Sequence, residues 1–130
     1  MCIRDRRISD SEVVIRGLVG NQVYGHKCAL IYDDEIATGG SIHELSNMLI
    51  DEGIEEILVI CTHGVFTRGG LERLAAIPQI SQIVTTDTVY IPPEKRHSKL
   101  KILSVAPIFA DAIRHNLYHE SLNKLFVFGE

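Results

Sequence analysis

Apolar positions along the chain fall into short blocks separated by polar, glycine-containing joints, and the blocks alternate between two periods. Cys28 to Tyr32 is an apolar run that ends in Asp33 and Asp34, the pattern of a buried, parallel strand. From Ser41 to about Glu52, Ile42, Leu45, Met48 and Leu49 recur at helical spacing, and Gly53 follows as a C′ residue. Glu55 to Cys61 reads as a second buried strand with a loop, Thr62 to Thr67, at its end. A short helix with Leu71, Leu74 and Ala75 inward comes next, then a third strand from Ile80 to Thr85 that ends in Thr86-Asp87-Thr88. Pro92 to Arg96 is a surface loop, and Leu100 to Leu103 a fourth strand. Ser104 then caps a helix with Pro107 in its first turn and a stripe of Val105, Ile108, Phe109, Ala112, Ile113 and Leu117. The apolar tail, Ser121 to Phe128, is expected to pack as an extra strand. Upstream, residues after Glu12 alternate weakly as a strand leading to a turn near Gly20-Asn21, and Tyr24 to Lys27 is a second turn. Residues 1–6 lead into no periodic element and are expected to be an artefactual start rather than part of the native domain. Strands alternating with helices at this spacing predict an α/β fold, a three-layer parallel sheet with flanking helices.

In such a sheet ligands bind at the carboxyl ends of the strands. Three polar loops are expected to gather there: 33–41, 62–67 and 86–88. The first carries the most specific chemistry. Two adjacent carboxylates, Asp33 and Asp34, can accept hydrogen bonds from a pair of vicinal hydroxyls. Ala37-Thr38-Gly39-Gly40-Ser41 offers backbone N–H groups, two hydroxyls and the start of a helix, a site for an anion. A diol on one side and a phosphate on the other describe a ribose 5-phosphate. An ordinary strand-to-helix turn, with Ser41 as N-cap, accounts for a Gly-Gly-Ser sequence equally well; the paired acids at the strand end weigh against it.

The 130 residues suit one domain, with no internal repeat, low-complexity tract or linker. Net charge is −4 with the two signs mixed, so there is no basic stripe and nucleic acid is not an expected partner. No apolar run approaches the ~20 residues of a membrane span. Cys2, Cys28 and Cys61 are an odd set without zinc spacing, read as buried reduced thiols, and a cytoplasmic location is expected. His115 and His119 stand four apart on the last helix, a spacing able to bind metal, but a solvated face is the expectation. His63 and Asp87, at strand ends, divide between structural and site roles. The charge clusters Asp51, Glu52, Glu55, Glu56 and Glu94, Lys95, Arg96 are read as solvated, and Lys27 as surface.

The segment Asp33-Asp34-Glu35-Ile36-Ala37-Thr38-Gly39-Gly40-Ser41 resembles the phosphoribosyl-diphosphate (PRPP) loop of type I phosphoribosyltransferases. The blocks Cys61-Thr62-His63-Gly64-Val65-Phe66, Val84 to Thr88, Leu103 to Pro107, Ala110 to Ile113 and Ser121 to Phe126 resemble successive parts of ribose-phosphate pyrophosphokinases (PRPP synthetases). The resemblance runs from about residue 7 to residue 128. It implies the phosphoribosyltransferase type I (Rossmann-like) fold, incomplete at its N-terminus, with residues 7–130 a partial C-terminal domain of a two-domain enzyme. It implies transfer of diphosphate from ATP to C1 of ribose 5-phosphate, giving PRPP and AMP, with Mg2+ as cofactor and a homo-oligomeric intact enzyme. Asp33 and Asp34 would meet the ribose hydroxyls. Ala37, Thr38, Gly39, Gly40 and Ser41 would hold the 5-phosphate, and His63 would contact nucleotide or phosphate. Ala37 stands where many members carry an acid. Of a flexible Lys-Arg-Arg loop, only Arg7 carries over as a catalytic candidate; Asp5 occupies the lysine position and the catalytic lysine is absent. No metal ligand in this chain is implied. Another PRPP-using phosphoribosyltransferase, or a non-catalytic synthetase-associated regulatory homologue, is the alternative. The Thr-His-Gly-Val-Phe and Ser-Val-Ala-Pro blocks argue against the first, and the nearly intact 33–41 loop against the second. A partial domain is also expected to expose apolar surface.

Overall fold

The computed structural model describes residues 2–9, 12–19 and 25–125, with side chains from Gly25 onward except that of Lys124. Two strands, β1 (Cys2–Ser9) and β2 (Glu12–Val19), pair antiparallel from Cys2↔Val19 to Ser9↔Glu12. Residues 2–6, read from the sequence as leading into no element, are thus the first part of a strand; cross-strand pairing supplies what their own pattern lacks. The turn expected near Gly20-Asn21 lies outside the described residues, as do Phe126 to Phe128 of the tail.

From residue 28 the chain alternates strand and helix. The strands are β3 (Cys28–Ile36), β4 (Glu56–Gly64), β5 (Ile80–Thr86) and β6 (Leu100–Leu103). The helices are α1 (Gly40–Asp51) between β3 and β4, α2 (Gly70–Ala75) between β4 and β5, and α3 (Ala106–Leu117) after β6. The four strands form a parallel sheet in the order β3-β4-β5-β6. Strand order follows chain order, so the carboxyl ends of all four lie at one edge, as the sequence predicts. Ile31, Val59 and Ile83 stand in register across three strands, all buried. They share a cluster with Ile42, Leu45 and Leu49 of α1 and Leu71 and Leu74 of α2. Inside α1, Ser46 is fully buried and donates its hydroxyl to the Ile42 carbonyl at 2.7 Å, which removes the cost of an unpaired polar group. Gly53 closes the helix, its N–H donating to Ile50 O at 2.9 Å.

Several expectations are corrected. β3 is not buried on both faces: Leu30 and Tyr32 are 62% and 71% exposed, because alternation turns them to the face opposite the Ile31, Val59 and Ile83 core. Cys28 is exposed as well, its thiol donating towards Glu56 Oε2 at 3.7 Å, while Cys61 is buried as expected. Lys27 and Glu55 are exposed and paired with each other. β4 runs on through Thr62 and His63, since its ladder with β3 continues to Ile36↔Gly64. The α3 stripe is largely uncovered: Ile108, Phe109, Ile113 and Leu117 are exposed, so the expected apolar surface is present on this helix. The buried residue of α3 is His115, which the sequence reading placed on a solvated face. Its Nδ1 lies 2.8 Å from Asp111 O and its Nε2 3.5 Å from Glu120 Oε2, so local polar partners accommodate the ring. Residues Leu122–Leu125 form a 3-10 turn rather than a strand.

Candidate functional site

The loop 37–39 joins β3 to α1 at the carboxyl edge. Asp33 and Asp34 each receive the backbone N–H of the following residue on Oδ1, both at 2.9 Å. Such a bond fixes the side chain against its own backbone. Asp33 is half-buried and stands opposite Cys61 in the ladder; Asp34 is exposed. Burial pushes the Cys61 thiol up from its ordinary value, the Asp33 carboxylate adds to this, and the hydrogen bond with Thr85 opposes it. A thiol so placed stays neutral and unreactive.

The turn itself is held by close packing from below. Gly39 precedes α1 with φ 71°, a left-handed conformation that Ser41, the expected N-cap, does not adopt; no side chain caps the helix. The α1 ladder begins with His43 N–H donating to Gly39 O at 2.9 Å. The N–H groups of Gly40, Ser41 and Ile42 precede that bond and are the helix's unfilled donors. No acid occupies the first turn of α1 itself. Beneath the loop, α2 supplies a backbone cushion: a Cβ on Gly70 would lie 2.5 Å from Ala37 O and 3.0 Å from Thr38 C. Arg73 Nη1 donates to Thr38 O at 3.0 Å. That carbonyl is thereby held by α2. Neither Gly70 nor Arg73 was singled out from the sequence; the adjacent Gly69-Gly70 pair was the available signal of close backbone approach.

The second and third polar loops meet at the same edge. Glu35 and His63 are register partners on β3 and β4. His63 Nδ1 lies 2.8 Å from Thr88 Oγ1, and Thr86 and Thr88 turn their hydroxyls to Thr62 O at 2.7 and 3.1 Å. Asp87 faces the start of α3. Its Oδ1 accepts the Val105 N–H at 2.8 Å, while Ser104 Oγ accepts the Ala106 N–H at 3.2 Å, so the helix start is shared by two side chains rather than capped by Ser104 alone. The Ser104 hydroxyl first, and the Val105 N–H second, hold the Asp87 carboxyl below its ordinary value of 3.8. A depressed carboxyl stabilises the fold above its unfolded pKa, and that contribution is lost as pH falls through the folded value. The Val105 amide resonance is therefore expected to titrate with a midpoint below 3.8, and Asp87→Asn to abolish the step; NMR-monitored acid titration checks this.

Arg7 lies on β1 opposite Val13, with its side chain outside the described residues. The structure therefore brings Asp33, Asp34, the 37–41 loop and His63 to one edge, and gives no side-chain placement for Arg7. Among the described residues no group of three or more His, Cys, Asp or Glu side chains could hold a metal ion, and no helix is long and apolar enough to cross a membrane.

With this geometry in place, the chain matches the phosphoribosyl synthetase-associated domain over residues 13–127. The chain belongs to that family. Curated relatives include a ribose-phosphate pyrophosphokinase of Rhodopirellula baltica, 40% identical over 121 residues, 93% of this chain and 38% of the relative. Another, of Caldanaerobacter subterraneus, is 39% identical over 127 residues, 97% of this chain and 39% of the relative. Among solved structures, the phosphoribosylpyrophosphate synthetase of Mycobacterium smegmatis superposes with a TM-score of 0.72 at 31% identity, covering 85% of this chain and 35% of that one. The chain thus spans under two fifths of the length of these relatives. Membership in this family agrees with the resemblance carried by the blocks from Cys61 to Phe126, and the parallel-sheet fold with what the strand–helix alternation implies.

Proposed function

We propose that this chain supplies the ribose-5-phosphate side of a ribose-phosphate pyrophosphokinase site. The C1 hydroxyl oxygen of the sugar attacks the β-phosphorus of ATP, the bond from that phosphorus to the α,β-bridging oxygen breaks, AMP leaves, and the hydroxyl proton is released. The product is PRPP, a precursor for nucleotide biosynthesis. The observation that carries this reading is the joint placement of Asp33 and Asp34 at the end of β3 with Ala37, Thr38, Gly39, Gly40 and Ser41 at the start of α1, together with relatives bearing that enzyme's name. The carboxylates accept from the ribose hydroxyl pair; the backbone N–H groups and the α1 terminus take the 5-phosphate. Ala37 does not weaken the loop's phosphate role, since backbone donors need no side chain.

Catalysis of phosphoryl transfer rests on positioning and charge stabilisation. What these residues contribute is position: the phosphate end is anchored to a loop packed on α2, and the diol end to a strand end in the sheet. A magnesium ion fits this donor set only as an ion carried by the ATP phosphates, with at most one or two carboxylates from the protein; it would neutralise phosphate charge. A homo-oligomer and a cytoplasmic setting belong to the same reading.

Binding provides the test. Calorimetry of the chain with ribose 5-phosphate is expected to give heat of binding, and Asp33→Asn with Asp34→Asn to weaken it at least tenfold, since hydrogen bonds to a charged acceptor contribute about 1.5–3 kcal/mol each. Equal affinity in the double variant would refute the assignment of the acids.

A further inference from the structure

The cluster around His63 carries more information than its distances alone, because hydroxyl groups have one proton each. Four polar contacts link it: His63 Nδ1 to Thr88 Oγ1 at 2.8 Å, Thr88 Oγ1 to Thr86 Oγ1 at 2.8 Å, Thr86 Oγ1 to Thr62 O at 2.7 Å, and Thr88 Oγ1 to Thr62 O at 3.1 Å. The carbonyl can only accept, so the shortest contact takes the Thr86 proton. Thr86 Oγ1 then has to accept across its contact with Thr88, which uses the Thr88 proton. Thr88 Oγ1 must in turn accept from His63, so the imidazole proton sits on Nδ1. The longer approach of Thr88 to the carbonyl is a second branch of a proton already placed. The opposite choice, Thr88 donating to His63, leaves two hydroxyl oxygens 2.8 Å apart with no proton between them. The Thr88 N–H, 3.3 Å from Thr86 Oγ1, adds a further donor in the same direction.

Position gives this tautomer a use. The pairs Asp33↔Cys61 and Glu35↔His63 are in register, and alternation along both strands puts Asp33, Glu35, Cys61 and His63 on one face. His63 is exposed there, one strand spacing from Glu35 and diagonal to Asp33. We infer that the Thr62–Thr86–Thr88 chain holds His63 as its Nδ1–H form so that the Nε2 lone pair serves as an extra hydrogen-bond acceptor for a hydroxyl of the bound pentose phosphate. His63 then touches the sugar on the β4 side of the cradle, and Thr86 and Thr88 are positioning residues. This rests on the proposed function, and it differs from the nucleotide or phosphate contact that the family resemblance implies: a lone pair accepts from a hydroxyl and does not hold an anion.

The experiment uses the full chain, 15N-labelled for ring-nitrogen NMR, and calorimetry with ribose 5-phosphate and with inorganic phosphate. The expected result is an Nδ1–H signature for His63 that Thr88→Val converts to a mixture of tautomers. Alongside it, His63→Ala should lose about tenfold in ribose 5-phosphate affinity while binding inorganic phosphate as before, and Thr88→Val should lose less. Backbone amide spectra of the variants, compared with the parent, show that the fold is kept. An Nε2–H form in the parent chain, or unchanged sugar-phosphate affinity in His63→Ala, overturns the inference. Absence of any ribose 5-phosphate binding by the parent chain removes the reading of the cradle itself, and the acceptor role falls with it.

Discussion

Supplied with ATP, magnesium and ribose 5-phosphate, the 130-residue chain by itself is expected to form PRPP and AMP at a rate at least a thousandfold below that of an intact relative. The reason is the charge inventory of the cradle. No Lys or Arg occurs between Lys27 and Arg68, the span that holds both acids, the phosphate loop and His63. Arg73, the nearby cation that reaches the loop, spends a guanidinium donor on the Thr38 carbonyl. In the proposed reading such an array orients a sugar phosphate, but among the residues with described side chains it has little with which to quiet the negative charge that spreads over a phosphoryl group in transit. A single arginine supplied to that charge is worth about 10³–10⁵ in rate. Measuring AMP release on the purified chain decides the matter. Turnover within about tenfold of an intact relative, a barrier difference of only ~1.4 kcal/mol, would mean that the chemistry is contained here.

The second large effect is structural. Gly70→Ala is expected to displace the phosphate loop, lowering stability by about 1–3 kcal/mol, the usual cost of overpacking, and ribose 5-phosphate affinity by tenfold or more. Gly70 has ordinary helical dihedrals, so a methyl group brings no backbone strain of its own. The damage comes from where the methyl points, at Ala37 O and Thr38 C, both backbone atoms that cannot rotate aside. Gly69→Ala is the informative control. It has φ 74° and open space around its Cβ position, with Glu72 Oε2 the nearest atom at 3.8 Å. Substitution there costs about 1–2 kcal/mol in left-handed strain yet leaves the loop in place. Thermal unfolding and calorimetry on the two variants separate the effects: both lose stability, but only Gly70→Ala loses the ligand. Equal affinities would show that α2 does not set the loop's shape.

Local sequence determined a good deal of this. The four parallel strands, α1 and α2 follow from apolar runs and helical spacing, and the Ile42, Leu45, Leu49 and Leu71, Leu74, Ala75 sets are buried as expected. The Asp33-Asp34 and Thr38-Gly39-Gly40-Ser41 stretch was legible as a candidate site because every group in it comes from contiguous residues. What pattern could not give was anything that depends on a partner distant in the chain. The cross-strand ladder made residues 2–6 into β1 and carried β4 on to Gly64. Exposure of Leu30, Tyr32 and the α3 stripe depends on which faces other elements cover, and an apolar side chain carries no record of that. His115 is buried through local carbonyl and carboxylate partners that its spacing from His119 does not reveal. Gly70 beneath Ala37, Arg73 on Thr38 and Thr88 on His63 each join residues 25 or more positions apart. The sequence alone suggests which groups are candidates for a sugar phosphate, and that assignment is the one we propose. Tertiary packing decided how the loop is seated, because Gly70 and Arg73 of α2 meet Ala37 and Thr38 only in the folded chain, and which hydroxyls face His63, because the ends of β4 and β5 meet only when those strands pair.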